Sequence, residues 1–367
     1  LFFENYIVKL DAEPAAVTTA VNEIQTDFSE IFEFEPLHIF ENATQGFSLK
    51  LPIGLSEELA DMFDEIDYII LDPPEDRAPE PPGEAPEFND DNVPDGIAFI
   101  GGPAPVDVSN VGVAVVDTGI DLDHPDLNVV DTYDAVGQGG GSGSGGDDLN
   151  GHGTHVAGTI GAKGDGVYGA APGVDLYAVR VLDADGSGTI ADIIAGLEYV
   201  LGEPNINVVN MSLGGASDPS PPQPLQDAIE ALEDAGVAVC IAAGNEGSGT
   251  NGFIPAGYDV GIVVSAYDAQ NQAENGFADF SNYGNAVDIA APGVNITSTW
   301  PGGEYASISG TSMATPHVAG VAAAYMAANP GASASEVYSA LINGGADGYA
   351  GQGGDHPEPL LDISSLF

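Results

Sequence analysis

The chain has 367 residues, 43% of them apolar, which is long for one domain and comfortable for two with sizeable cores. Its 57 Asp and Glu stand against 5 Lys and Arg, a formal net charge of -52 and a pI near 4.1, which excludes nucleic acid and anionic membranes as partners by repulsion. No apolar run reaches the roughly 18 residues of a membrane span, and the single cysteine, Cys240 in VAVCIAAGN, rules out an internal disulfide and reads as a buried strand residue.

Residues 5 to 72 read as strand NYIVKL, helix AAVTTAVNEIQTDF, strands IFEFEPLHIF and GFSLKLP, helix SEELADMFDEI and strand YIILD, a β-α-β-β-α-β unit. Residues 73 to 92, PPEDRAPEPPGEAPEFNDDN, are rich in proline and acid without periodicity and read as an exposed linker. From about 97 onward apolar runs alternate with helical patterns. The runs are GVAVVD, LYAVRVL, NVVNMSL, VAVCIAA, GIVVSA and VDIAA, and the helical patterns include ADIIAGLEYVL and LQDAIEALEDAG. Such continuous Val, Ile and Ala runs between helices predict an α/β domain with a mostly parallel sheet covered on both faces. Its active site is expected at the carboxyl ends of the strands. The run GQGGGSGSGGDD at 137 to 148 has no Gly-Lys-Ser/Thr ending and no basic residue, which excludes a phosphate loop and leaves an exposed insertion.

Three motifs carry the chemistry: VAVVDTGID at 113 to 121, NGHGTHVAG at 150 to 158 and SGTSMATPHVAG at 309 to 320. They supply Asp117, His152 and Ser312 in the order acid, base, nucleophile. A serine hydroxyl is a poor nucleophile at neutral pH and needs a base such as His152. Asp117 would fix the imidazole tautomer and stabilise the imidazolium. Asp117 and Asn245 end strands and His152 and Ser312 open helices, so all four can converge on one sheet edge. Pro316 sits early in what reads as the last helix, where a missing amide costs less than deeper in.

These motifs resemble those of the subtilisin-like serine proteases, and the resemblance implies further roles. In the HGTH pattern the first histidine is the base, so His155 is a structural residue packed beneath it, and His317 is a helix residue near the site. His38 and His124 carry no partner pattern, and His356 reads as a surface loop residue. IAAGNEG places Asn245 as the oxyanion donor, with the Ser312 amide as the second. MSLGG, with Ser212, Leu213 and Gly214, resembles one wall of the first specificity pocket, and Ala243 and Gly244 the other. DGSGT, with Gly186 and Gly188, resembles the edge to which an extended peptide adds as a strand. Phe253 stands where subtilisins often carry glycine at the pocket floor, and would favour small side chains there. Asp126 in DHPDL and Asp288 in AVDIAAP match calcium-ligand positions, although GTIGAKGDGVYGAAP is too short for the usual Asn-rich calcium loop; Asp183 and Asp185 have a ligand-like but unspecific spacing. Calcium is therefore the one cofactor expected, in a structural role, and no organic cofactor is.

The resemblance also divides the chain. Residues 1–74 resemble a propeptide that inhibits and chaperones, 75–96 form the linker with the maturation site, and 97–367 form the catalytic domain, closed by PLLDISSLF. The layout implies a secreted zymogen, extracellular and monomeric, that cuts extended polypeptides with broad specificity. The chain opens at Leu1 with no charged-then-apolar leader, which fits removal of a secretion signal or a trimmed start. The scarcity of lysine points to salt adaptation, since about 1 M salt shortens the Debye length to roughly 3 Å. Two rival readings are a non-catalytic binding relative, which intact Asp117, His152, Asn245 and Ser312 argue against, and an esterase or lipase, whose Gly-x-Ser-x-Gly is not found in GTSMA.

Overall fold

A computed structural model describes residues 3–29, 31–72, 92–136, 145–216, 224–258, 260–270, 276–347 and 355–367. The amino-terminal part has the expected β-α-β-β-α-β order: β1 (Phe3–Leu10), α1 (Val17–Phe28), β2 (His38–Phe40), β3 (Gly46–Pro52), α2 (Ser56–Met62) and β4 (Ile66–Leu71). The strands form an antiparallel sheet in the order β2-β3-β1-β4. On α1 the buried residues Val17, Val21, Ile24 and Phe28 recur at helical spacing and make one stripe. That stripe joins Tyr6, Val8 and Leu10 from one face of β1 in a common core. The strand expected over residues 31 to 40 forms only at His38–Phe40, because Pro36 has no amide to give to a ladder.

The larger part is built on a parallel sheet. Its strands are β5 (Gly112–Asp117), β6 (Val129–Asp134), β7 (Asp175–Arg180), β8 (Ile206–Met211), β10 (Ala238–Ala242), β12 (Ile262–Tyr267) and β13 (Ile289–Pro292), with the short β9 (Gly215–Ala216) and β11 (Phe253–Ile254) pairing separately. Among the described residues the sheet order is β13-β12-β10-β8-β5-β7-β6. The strands are buried on both faces: along β5, Val113 and Val115 join one core while Ala114 and Val116 join the other. The first core is closed by α3 (Asp95–Phe99), α4 (His152–Gly161), α7 (Thr311–Ala328) and α8 (Ala334–Gly344), the second by α5 (Ile190–Gly202) and α6 (Pro224–Asp234). A hairpin of β14 (Ile296–Trp300) and β15 (Glu304–Ile308) precedes α7. The sequence reading missed β6 and this hairpin, and α7, which carries Pro316, is followed by α8.

The small sheet lays its second face on α5 and α6. Ile7, Phe40 and Ala43 belong to the same apolar cluster as Ile193, Leu197 and Leu225. Polar contacts frame that patch. The Glu198 carboxylate accepts from the backbone amides of Asn42 and Ala43, the latter at 2.6 Å. Lys9 Nζ lies 3.1 Å from Asp227, and His38 Nε2 3.0 Å from Asp192. Asp72 Oδ1 accepts from the Ile190 amide at 2.9 Å, the first residue of α5. Of the linker with its expected maturation bond (75–96), residues 75–91 lie outside the described residues and the last two open α3, and residues 137–144 of the glycine-rich insertion also lie outside them.

Candidate active site

Asp117 is the last residue of β5 and is fully buried. His152 is the first residue of α4, 35 positions on, and its Nδ1 lies 2.8 Å from Asp117 Oδ1 and 3.0 Å from Oδ2. A carboxylate only accepts, so Nδ1 carries the hydrogen and Nε2 keeps its lone pair. The imidazole retains 18% of its surface and can meet a substrate. Gly153 permits the close approach of helix to strand: a Cβ there would stand 2.1 Å from the Gly119 carbonyl oxygen and 3.2 Å from Asp117 Cβ.

Ser312 is the second residue of α7. Its Oγ donates to the Ser212 carbonyl at 3.1 Å, while Ser212 Oγ donates to the Ser312 carbonyl at 2.8 Å. Asn210 Nδ2 in turn donates to Ser212 Oγ at 2.8 Å. One hydroxyl carries one proton, so Ser312 can donate to an imidazole only after releasing the Ser212 carbonyl.

Asn245 follows β10 on an exposed turn. Its Oδ1 accepts from the Thr311 amide at 2.8 Å and from Thr311 Oγ1 at 3.0 Å, and Thr311 Oγ1 accepts from the Gly244 amide at 3.1 Å. With Oδ1 fixed, Nδ2 is the end left to face a ligand beside Ser312. Buried Asn282 staples the same turn. Its Nδ2 donates to the Ala243 carbonyl at 3.0 Å, and its Oδ1 accepts from the amides of Glu246 and Ser248 at 3.1 and 3.0 Å. Gly244, at φ +100°, accommodates this contact, since a Cβ there would lie 2.4 Å from Asn282 Nδ2. Sequence reasoning missed Thr311 and Asn282. Thr311 had a signal in standing directly before the serine, whereas Asn282 had none.

Of the expected substrate-binding residues, Gly186, Leu213 and Gly214 line one apolar recess together with Leu182, Ile193 and Ile254. Ser212 is instead engaged with Ser312, and Ala243 and Gly244 form the turn below Asn245. Gly188 is buried with its Cα against the Val181 carbonyl, where a Cβ would come to 2.3 Å. Phe253 is half-buried, pairs with Ala216, and is not among the residues lining that recess.

The other histidines are occupied. Burial pushes His155 down to about 3 and His317 down to about 4, so both are neutral. His155 Nε2 donates to the Ile296 carbonyl at 2.8 Å, and His317 Nδ1 to the Met313 carbonyl at 2.9 Å. His124 Nε2 donates to the Glu304 carbonyl at 3.1 Å. His356 is not a bare surface residue: its ring stacks on Phe277 at 3.7 Å and its Nδ1 lies 3.0 Å from Glu358. Cys240 is buried in β10, and burial pushes its thiol well above the usual range.

Of the expected calcium ligands, Asp126 has its carboxylate filled by protein donors. Asp126 Oδ1 accepts from the Asp165 amide at 2.8 Å, and Oδ2 from the amides of Gly166 and Val167 at 3.1 and 2.9 Å and from Tyr305 Oη at 3.3 Å. Four donors thus fill a fully buried carboxylate, and the turn after α4 closes on Asp126 itself. Asp288 Oδ2 accepts from the Val263 amide at 2.8 Å, and Asp183 Oδ1 holds its own turn through the amides of Asp185 and Ser187. Among the described residues no group of three or more His, Cys, Asp or Glu is gathered to hold a metal ion.

Comparison with known proteins agrees with this geometry. The sequence model described as "Subtilase family" matches residues 109–356. M-protease of Shouchella clausii (strain KSM-K16) is 41% identical over 357 residues, 93% of this chain and 86% of that protein. Subtilisin Savinase of Lederbergia lenta is 45% identical over 262 residues, 69% of this chain and 91% of that protein. The crystal structure of a cold adapted subtilisin-like serine proteinase superposes with a TM-score of 0.65 at 34% identity, covering 74% of this chain and 98% of the other.

Proposed function

The chain belongs to the subtilase family and is a serine endopeptidase with the subtilisin-like α/β fold, and on that premise we propose that Asp117, His152 and Ser312 are its catalytic triad. The observation that carries this reading is the His152 Nδ1–H bond to Asp117 at 2.8 Å, which leaves Nε2 as the base. As Ser312 Oγ attacks the scissile carbonyl, its proton passes to His152 Nε2, and Asp117 stabilises the imidazolium. His152 then protonates the leaving amine, the acyl-enzyme remains on Ser312, and water activated by the same imidazole releases the product. Asn245 Nδ2 and the Ser312 amide face the oxyanion. For the corresponding asparagine of subtilisin itself, losing one such donor is known to cost about 2.7 to 4 kcal/mol.

The substrate is an extended polypeptide, bound along Gly186 and Gly188 with its side chains in the recess of Leu213 and Gly214. Specificity is broad, because main-chain pairing supplies most of the grip. Residues 1–74 act as an intramolecular inhibitor and folding aid for 97–367, and cleavage within 75–96 releases the enzyme outside the cell. Support comes from the small sheet lying on α5 and α6 and from Asp72 holding the first amide of α5. The net charge of -52 adapts the folded state to high salt. No step uses a metal.

The test is to incubate the parent chain and Ser312→Ala at low and multimolar NaCl, following chain mass and release of a peptide fluorophore. Self-trimming within 75–96 and peptide cleavage by the parent alone support the zymogen reading, and activity that rises with NaCl supports salt adaptation. A parent that folds but cuts nothing is a binding relative, and one that acts on esters but spares peptides is an esterase.

A further inference from the structure

Five hydrogen bonds converge on one buried carboxylate that the proposed reaction does not use. Asp148 is 6% exposed. Its Oδ1 accepts from Thr118 Oγ1 at 2.9 Å and from the amides of Asn150 and Gly151 at 2.9 and 2.8 Å. Its Oδ2 accepts from the Thr154 amide at 2.9 Å and from Thr154 Oγ1 at 2.6 Å. These donors belong to the two segments that carry the acid and the base: Thr118 follows Asp117, Gly151 precedes His152, and Thr154 stands in the first turn of α4. Thr118 Oγ1 completes the link by accepting from the Gly153 amide at 3.0 Å. The residue at the N-cap of α4 is Gly151, which has no side chain, so Asp148 and Thr118 satisfy the open amides from outside the helix.

We propose that Asp148 is a positioning residue that fixes the start of α4 on the end of β5, and so sets His152 against Asp117. The inference rests on the reading of those two residues as a catalytic pair. Its geometric part is that Asp148 ties the backbone of both partners, and a displacement of about 1 Å between reacting groups costs on the order of a hundredfold in rate. Its electrostatic part is that a fixed negative charge at the positive end of α4 favours the imidazolium formed during reaction. Among the described residues the imidazole itself meets Asp117 from β5, and His155, neutral, stands three residues on in α4.

The experiment compares Asp148→Asn, Asp148→Ala and Thr118→Val with the parent, measuring kcat per titrated active site, KM and the pH dependence of kcat/KM. Asn keeps the shape but loses the charge, and its amide cannot accept from Thr154. The expected result is a fall in kcat per titrated site of about tenfold for Asn and Val and about a hundredfold for Ala, with KM within about twofold. In the Asn variant the acidic limb of kcat/KM moves to lower pH, a change that a purely structural role does not produce. Fewer titrated sites with unchanged kcat per site and an unmoved acidic limb overturn the proposal, as does full activity in all three. Should Asp148→Ala fail to fold, the Asn and Val variants decide. A parent that cleaves no peptide instead defeats the triad reading itself, so the two failures are distinguishable.

Discussion

Ser212 and Ser312 exchange hydrogen bonds across the floor of the site, each hydroxyl donating to the other's carbonyl. The bond to the Ser312 carbonyl has a cause four residues further on. In a helix that carbonyl would accept from the amide of residue 316, which is proline and has none. Ser212 Oγ takes its place, and Asn210 fixes Ser212 in turn.

Ser212→Ala therefore removes the donor that stands in for the missing amide, at about 1 to 3 kcal/mol. The measurement is denaturant unfolding in the Ser312→Ala background, where self-digestion is absent. Pro316→Ala restores an amide for that carbonyl, so the cost of Ser212→Ala is expected to shrink in its presence. Strict additivity of the two changes would show that proline does not create the need for Ser212.

The contrast between these residues shows what the sequence made legible. The motifs around Asp117, His152 and Ser312, and the Val, Ile and Ala runs of the central strands, are local patterns that survive into the fold. Strand β6, VVDTYD, lies at a sheet edge and is only partly buried, so it lacks the apolar run that marks its neighbours. Asn282 and Thr118 act through bonds to distant backbone, and Asp148 reaches Thr118 across 30 residues, contacts for which single-chain patterns carry no signature. Asp126 drew a ligand reading from its motif because a carboxylate that binds a cation and one that binds amides look alike in sequence. Only the neighbouring turn, 163 to 168, distinguishes them.

Asn245→Ala is expected to lower kcat about a hundredfold to a thousandfold with little change in KM, since its amide serves the transition state rather than the bound substrate. Thr311→Val removes the hydroxyl that holds Asn245 Oδ1 but keeps the backbone amide that also holds it. A smaller loss of kcat is therefore expected, in the same direction. Steady-state kinetics on a peptide substrate measure both, and a rise in KM without loss of kcat would place Asn245 in ground-state binding.

Asp126 gives a prediction about metals. Because amides saturate its carboxylate, chelation with EDTA is expected to leave the Asp126 turn protected in amide hydrogen exchange. Asp126→Ala orphans the amides of Asp165, Gly166 and Val167 and is expected to destabilise the fold by several kcal/mol, with calcium giving no rescue. Loss of protection at residues 163 to 168 on chelation alone would restore the cation to this site.

The contact between Asp72 and α5 gives the docked amino-terminal unit a pH dependence whose sign follows from burial. The carboxyl is pushed up to about 7, first by burial and then by Asp192, against the amide bond from Ile190 that favours its charge. Once the unit separates, Asp72 returns to an ordinary carboxylate near 3.8. The docked state thus holds the proton more tightly. The charged form incurs no penalty below about pH 4; the penalty grows as pH rises toward 7 and is constant above it, reaching about 4 kcal/mol. Ser312→Ala chain, cut within 75–96 by added parent enzyme that is then removed, is expected to keep its amino-terminal fragment on size exclusion at pH 5 and to release it progressively toward pH 8, at fixed molar NaCl. Asp72→Asn removes the titrating group, so its release is expected to lose most of that dependence. Equal retention of the parent fragment at both pH values would mean that Asp72 is solvated in the docked state, and that the grip on α5 comes from the Glu198 and apolar contacts alone.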